Sequence, residues 1–263
     1  MFFNHLYVIM ASFKIAQCKI EWKVVGGDPA SIQKFPHAAF ISETKPRSCG
    51  GSLIFVQTIL TAAHCVDEIE NKQGMIRAYF GSTIPRDATV TRIVIGYEIA
   101  PRYQPRTGNN NIAVLFLDSP VPLGHTIKKI VLDLKQPAVG TLMYSVGWGK
   151  QQVNRPYKLP DFSLYRGLRA TKQVLLSRAD CQKNIGNEIS NAICTKPIMG
   201  HLHKDDVGNG LILKRPDGVV TLVGIVSYIA NGISYYVNVG SNRKWIEGAS
   251  WRIYNKVCHG RDV

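Results

Sequence analysis

The sequence predicts an all-β chain closed by one C-terminal α-helix, and three observations carry this. The 263 residues are 45% hydrophobic and 19% charged, a composition that supplies a full-sized core and excludes a disordered tail. The 23 glycines and 13 prolines are spread along the chain, which favours many short strands joined by turns. β-rich runs recur between those turn signals at the spacing of a barrel or sandwich.

In chain order, strands are expected at Ala38 to Ile41, Ser52 to Thr61, Met75 to Phe80, Thr89 to Ile95 and Ile112 to Leu117, and then at Thr141 to Val146, Gln173 to Leu176, Leu211 to Leu213, Val219 to Ser227 and Ser234 to Val239. The last thirty residues change period. Trp245, Ile246, Ala249, Ile253 and Val257 fall three to four apart, with Arg243, Lys244, Arg252 and Lys256 between them, the pattern of an amphipathic helix with a solvated basic face. At the other end, the run Leu6 to Ala11 has the character of a secretory hydrophobic region and is too short to span a bilayer. A signal peptide is expected over 1–16 and a short propeptide over 17–23. No second apolar run reaches membrane length.

The 32 Lys and Arg against 18 Asp and Glu give a net charge of +14, which attracts polyanions without naming one. Weak polyanion binding would use Lys128-Lys129 and Arg166, Arg169 and Lys172. No specific nucleic-acid motif is present, and no Asn-x-Ser/Thr acceptor is available to mask the surface. The six cysteines are even in number, and none has the CxxC or Cys/His spacing of a zinc site. That usage fits an oxidising, extracellular compartment, with no metal and no cofactor.

Leu60-Thr61-Ala62-Ala63-His64-Cys65 puts a histidine at the end of a β run and locks it beside a cysteine, and this segment resembles the base-bearing segment of the trypsin/chymotrypsin family of serine proteases. Val24-Val25-Gly26-Gly27 after Lys23 resembles that family's activation junction, and Cys49-Gly50-Gly51-Ser52-Leu53-Ile54 the strand facing the histidine. Val146-Gly147-Trp148-Gly149, Ser177-Arg178-Ala179-Asp180-Cys181 and Gly224-Ile225-Val226-Ser227-Tyr228 follow in family order. The resemblance implies two six-stranded antiparallel β-barrels over 24–263, meeting near 125–140, with the active cleft between them. It also implies the bridges Cys49–Cys65 and Cys181–Cys194. By elimination Cys18 then pairs with Cys258, the alternative being a bond to another chain.

Function rests on the site, because one fold carries many activities. In this family a serine attacks, a histidine takes its proton and a buried aspartate holds the histidine. His64 matches the base, but Asn111 stands at the aspartate's position and Val207, in Asp205-Asp206-Val207-Gly208-Asn209-Gly210, at the serine's. Valine has no nucleophile, and Asp205 replaces a glycine whose N–H would face the oxyanion. The pocket is altered in the same sense: His201 is expected at its floor, with Ile229 and Ser234 on its walls in place of glycines. One family bridge has His203 at one end and no cysteine at the other, and a second is replaced by Met143 and Leu213. His201, His203 and Asp205 alternate and could, with His64, surround a metal, but solvated replacements are the default. Lys23-Val24 and Asp206 retain the parts of an activation switch, in which a trypsin-like protease cuts after Lys23 and the new amine pairs with Asp206.

The expectation is therefore a secreted, catalytically inactive serine protease homologue that binds an extracellular protein, as cofactor, decoy or scaffold in a fluid such as haemolymph or seminal fluid. Two alternatives stand beside it. One is a weakly active or unusual serine-type endopeptidase, which needs a Ser or Thr beside His64. The other is a basic protein that binds polyanions or microbes.

Overall fold

A computed structural model describes residues 27–42, 48–67, 76–149, 167–185 and 192–260. The first half supplies β1 (Asp28–Pro29), β2 (Ala38–Ser42), β3 (Ser48–Phe55), β4 (Thr58–Thr61), β5 (Arg77–Phe80), β6 (Val90–Ile99) and β7 (Ala113–Leu117). β2 to β7 close in the order β2-β3-β4-β7-β6-β5 with every pair antiparallel. Closure leaves no free sheet edge. The interior is apolar: Ile41, Leu53, Ile59, Leu60, Leu115 and Leu117 are each at most 1% exposed.

The second half supplies β8 (Val131–Leu132), β9 (Leu142–Gly147), β10 (Arg169–Leu175), α1 (Arg178–Ile185), β11 (Ala192–Met199), β12 (Gly210–Lys214), β13 (Val220–Ala230), β14 (Ile233–Asn238) and α2 (Arg243–His259). β9-β10-β11-β14-β13-β12 returns to β9 and makes a second six-stranded antiparallel barrel, with β1 added on β10 and β8 in parallel on β13. The linker between the barrels is tied to the second one by Asp133, which is buried and takes hydrogen bonds from Arg215, Thr221 and the Lys135 N–H. Burial pushes its carboxyl up, and those three donors outweigh that and hold it below the ordinary range.

The all-β architecture with two barrels and a terminal helix is as the sequence predicts. The run from Ser52 to Thr61 is two strands, because Val56-Gln57 turns the chain between β3 and β4. The sequence signals miss β11, whose Lys196-Pro197 interrupts the apolar run and blurs the strand pattern. Where the family bridge is replaced, the register sets Leu211 opposite Ser145 and Ile212 opposite Tyr144, which carries Leu213 toward Met143. Both side chains belong to the same apolar core.

His37, just before β2, is 3% exposed, and its Nε2 has no hydrogen-bond partner among the described residues. Burial lowers its pKa to about 4. The unfolded imidazole takes up its proton near pH 6.5, so between there and about 4 the unfolded chain binds more protons. Stability contributed by neutral His37 is therefore full above pH 6.5 and lost as pH falls through that window, by ~3 kcal/mol. In urea unfolding at pH 7 and pH 4.5, the wild type is expected to lose this stability relative to His37→Met, whose flexible apolar chain fits the same space, so the difference between the two proteins shifts toward the variant at the lower pH. An equal pH dependence in both proteins would refute it.

Candidate active site

β4 ends at Thr61, and the chain enters a 3-10 turn over Ala63–Cys65 that turns His64 outward while Ala63 and Cys65 stay buried. The Cys49–Cys65 disulfide fixes this turn to β3. Asn111, two residues before β7, is 3% exposed. The His64 backbone N–H donates to Asn111 Oδ1 at 2.9 Å, and Asn111 Nδ2 donates to Ser227 Oγ at 3.1 Å and to the Ser227 carbonyl at 3.3 Å. Ser227 Oγ in turn donates to the Gly108 carbonyl. One amide thus joins the histidine turn of the first barrel to β13 of the second. Its only oxygen is occupied by the backbone, and no hydrogen bond reaches the exposed His64 ring among the described residues.

Val207 follows a 3-10 turn over Lys204–Asp206 and is 6% exposed, within the main apolar cluster. Its carbonyl accepts from the Gly50 N–H at 2.9 Å, which seats it against β3. Gly208 has φ +88°, and a Cβ there would overlap the Gly50 carbonyl and Thr61 Oγ1, so this close crossing of the barrels admits only glycine. Asp205, at the position of the family's oxyanion donor, has its Oδ2 2.9 Å from His203 Nδ1. The two residues that replace a cysteine and a glycine thereby face each other. Asp206 is fully buried and accepts from the N–H groups of His203 at 2.8 Å and Gly149 at 3.1 Å. Burial raises its pKa to about 6, against the lowering effect of those two N–H groups.

The walls of the expected pocket are paired. After a register shift at Ser227, β13 and β14 pair as Tyr228↔Tyr235, Ile229↔Ser234 and Ala230↔Ile233, leaving a two-residue turn, Asn231-Gly232. Both turn residues have positive φ, +51° and +73°, the requirement of a type I′ hairpin. The rings of Tyr228 and Tyr235 stack at 4.4 Å. Ile229 therefore stands beside Ser234, which is 1% exposed, and the adjoining cleft beside Gly108, Ser227 and Tyr228 holds about 10 Å³, room for a water molecule at most. His201 is exposed, and its neighbour Leu202 is the residue buried in the core from this segment.

The structure brings together His64, Asn111 and Ser227, and sets Val207 against the same strands of the first barrel. Lys23, Val24 and Cys18 lie outside the described residues, as does Arg166. The Cys181–Cys194 bridge is present, and Cys258 is exposed on the last turn of α2. Among the described residues no group of three His, Cys, Asp or Glu side chains could hold a metal, so His201, His203, Asp205 and His64 do not assemble as ligands. No helix among them is long and apolar enough to cross a membrane.

Two features of the site escape the sequence reading. Asn209 is 2% exposed, packs its side chain against Gly50 and donates from Nδ2 to the Asp206 carbonyl at 3.0 Å, where the family pattern has glycine. The closed hairpin is the other, and its signal was present: Asn-Gly between alternating apolar residues marks a two-residue turn.

The trypsin family model matches residues 24–246. Trypsin beta of Drosophila erecta is 30% identical over 237 residues, covering 87% of this chain and 88% of that protein. Hypodermin-B of Hypoderma lineatum is 28% identical with the same coverage. Among solved structures, a scabies mite inactivated protease paralogue, S-D1, superposes with a TM-score of 0.72 at 25% identity, over 90% of this chain and 98% of that one. Two closed barrels with a histidine turn between them define the double-barrel protease architecture. The chain belongs to the trypsin family.

Two predictions follow the geometry of this site. The Asp206 carboxyl has a folded pKa raised above its ordinary 3.8, so its contribution to stability is full below about pH 4 and is lost as pH rises through 6, by ~3 kcal/mol. The stability of the wild type relative to Asp206→Asn is expected to fall by that amount in chemical-denaturation curves as pH rises from 4 to 7, and a difference that does not change with pH refutes the assignment. Gly232→Val, at a position with open space around it, is expected to cost ~1–2 kcal/mol through backbone strain alone. Gly124→Val is the control to compare in the same unfolding series, since that glycine has open space too and no positive φ.

Proposed function

We propose that this chain is a secreted trypsin-family protein that acts by binding and does not cleave peptide bonds. The observation that carries the reading is Val207: the position of the nucleophile holds a buried aliphatic side chain with no oxygen or sulfur to attack a carbonyl. Two further features support it. Asn111 brings no charge to hold a protonated His64, and the cross-strand pairing of Ile229 with Ser234 sets the expected pocket walls directly side by side. The mite relative, described as an inactivated protease paralogue, supports a loss of activity with retention of the fold. The two disulfides and the apolar run near the N-terminus support an extracellular setting. The partner is an extracellular protein, and no cofactor enters the reading.

A trypsin-like protease acting at Lys23 supplies the regulation. The freed amine of Val24, with an ordinary pKa near ~8, would then meet the Asp206 carboxylate, which among the described residues is a buried group held by the N–H groups of His203 and Gly149. Pairing would order the rim formed by 201–210 and 227–234, and the partner would prefer the processed form.

Trypsin is expected to cut Lys23-Val24, after which the purified protein turns over neither peptide nor ester substrates and leaves no mark with a fluorophosphonate label. The deficit against an active trypsin is expected to reach ~10⁶ in kcat, the cost of losing the nucleophile. Val207→Ser alone should not restore useful turnover, because Asn111, Asp205 and the closed hairpin remain. Stoichiometric labelling of the unmodified chain would overturn the reading. Hydrogen exchange before and after cutting tests the switch: protection should rise over 201–210 and 227–234 in the wild type and not in Asp206→Asn. Unchanged wild-type protection would make the junction an inherited remnant.

A further inference from the structure

α2 buries one apolar face and carries beside it a partly exposed aromatic stripe, whose Tyr254 also meets Phe116 of β7 edge-on at 6.2 Å. Ile246, Ala249 and Ile253 pack inward on β6 and β7, and Gly96 leaves room for Ile253. On another face Trp251 is 60% exposed and lies stacked on Tyr254 at 5.7 Å, and Tyr254 meets His259 edge-on at 5.5 Å. Cys258, exposed, sits one turn beyond Tyr254. Trp251, Tyr254 and Cys258 are spaced i, i+3, i+7 and form one stripe about 10 Å long, ending in a thiol.

We infer that this stripe is the seat of the chain's own N-terminal segment, locked by a Cys18–Cys258 disulfide. Four of the six cysteines are bonded in the barrels, and 261–263 contain none, so Cys18 is the remaining intramolecular partner. The residues that follow it alternate: Cys18, Ile20 and Trp22 share one side of an extended strip, and Lys19, Glu21 and Lys23 the other. Cys18 to Trp22 spans about 13 Å at strand rise, close to the length of the helical stripe. An apolar strip that starts with a thiol thus matches an aromatic stripe that ends with one. The nine steps from Cys18 to Gly27 reach up to about 30 Å. Closing the bond joins the two sulfurs and removes two protons and two electrons, which pass to a protein disulfide of the oxidoreductase class, itself reduced to a dithiol. The strap is independent of the loss of catalysis and of cutting at Lys23; if Lys23-Val24 is cut, the propeptide stays attached.

The test uses the full-length protein secreted from eukaryotic cells. Non-reducing peptide mapping is expected to find Cys18 joined to Cys258, and after trypsin treatment the peptide ending at Lys23 should leave only when reductant is added. In refolding from the reduced state with glutathione, Trp251→Ala and Tyr254→Ala should slow formation of this bond at least about tenfold by lowering the local concentration of the strip, with Cys49–Cys65 forming normally. Alkylation of Cys258 as a free thiol in the secreted protein overturns the inference, as does a bond from Cys258 to another protein or to a second copy. A Cys18–Cys258 bond that forms at the wild-type rate in both aromatic variants overturns the docking face. Absence of fluorophosphonate labelling, the test of inactivity, is read separately, so the two failures are distinguishable.

Discussion

A fully buried carboxylate fixes how the loops of the cleft lie. Asp206 is fully buried, and each of its oxygens needs a donor; the His203 and Gly149 N–H groups supply them. That requirement ties the turn before β12 to the end of β9. A Cβ at Gly147 would overlap the Asp206 carboxylate, so β9 must be bare at this point for the carboxylate to enter. The same segment continues through Val207 and Gly208, whose backbone bonds to Gly50 and Val226 reach both barrels. A single buried charge therefore sets the path of a segment that crosses the interface between the barrels.

The site keeps its architecture while its chemistry is replaced. Asparagine has the shape of aspartate, so Asn111 accepts from the His64 backbone and uses its added N–H₂ on Ser227, leaving no buried polar atom of the amide unpaired. Valine at 207 is buried beside apolar neighbours and needs no partner. His203 and Asp205 face each other where the family carries half of a disulfide and a glycine. Asn111, Val207 and the His203–Asp205 pair are each locally satisfied, whereas Asn209 keeps a buried Oδ1 with no partner among the described residues.

The sequence by itself determined the fold class, because turn residues and β-rich runs at regular spacing admit few other architectures, and the order of motifs around His64, Gly147 and Ser227 carried the family. It also determined the substitutions at 111, 205 and 207, since identity at a position is a property of the chain alone. The tertiary structure decided what could not be read locally. β11 emerged from pairing with β10 and β14, because a lysine and a proline interrupt its own apolar run. The meeting of Asn111 with Ser227, 116 positions away, depended on barrel closure. The pocket walls closed because β13 and β14 found register down to Ala230↔Ile233, a matter of long-range pairing that an Asn-Gly turn permits and does not compel. His201 lay exposed and Leu202 buried because the path of that loop is set by Asp206, and a buried charge finds its partners only once the chain is folded.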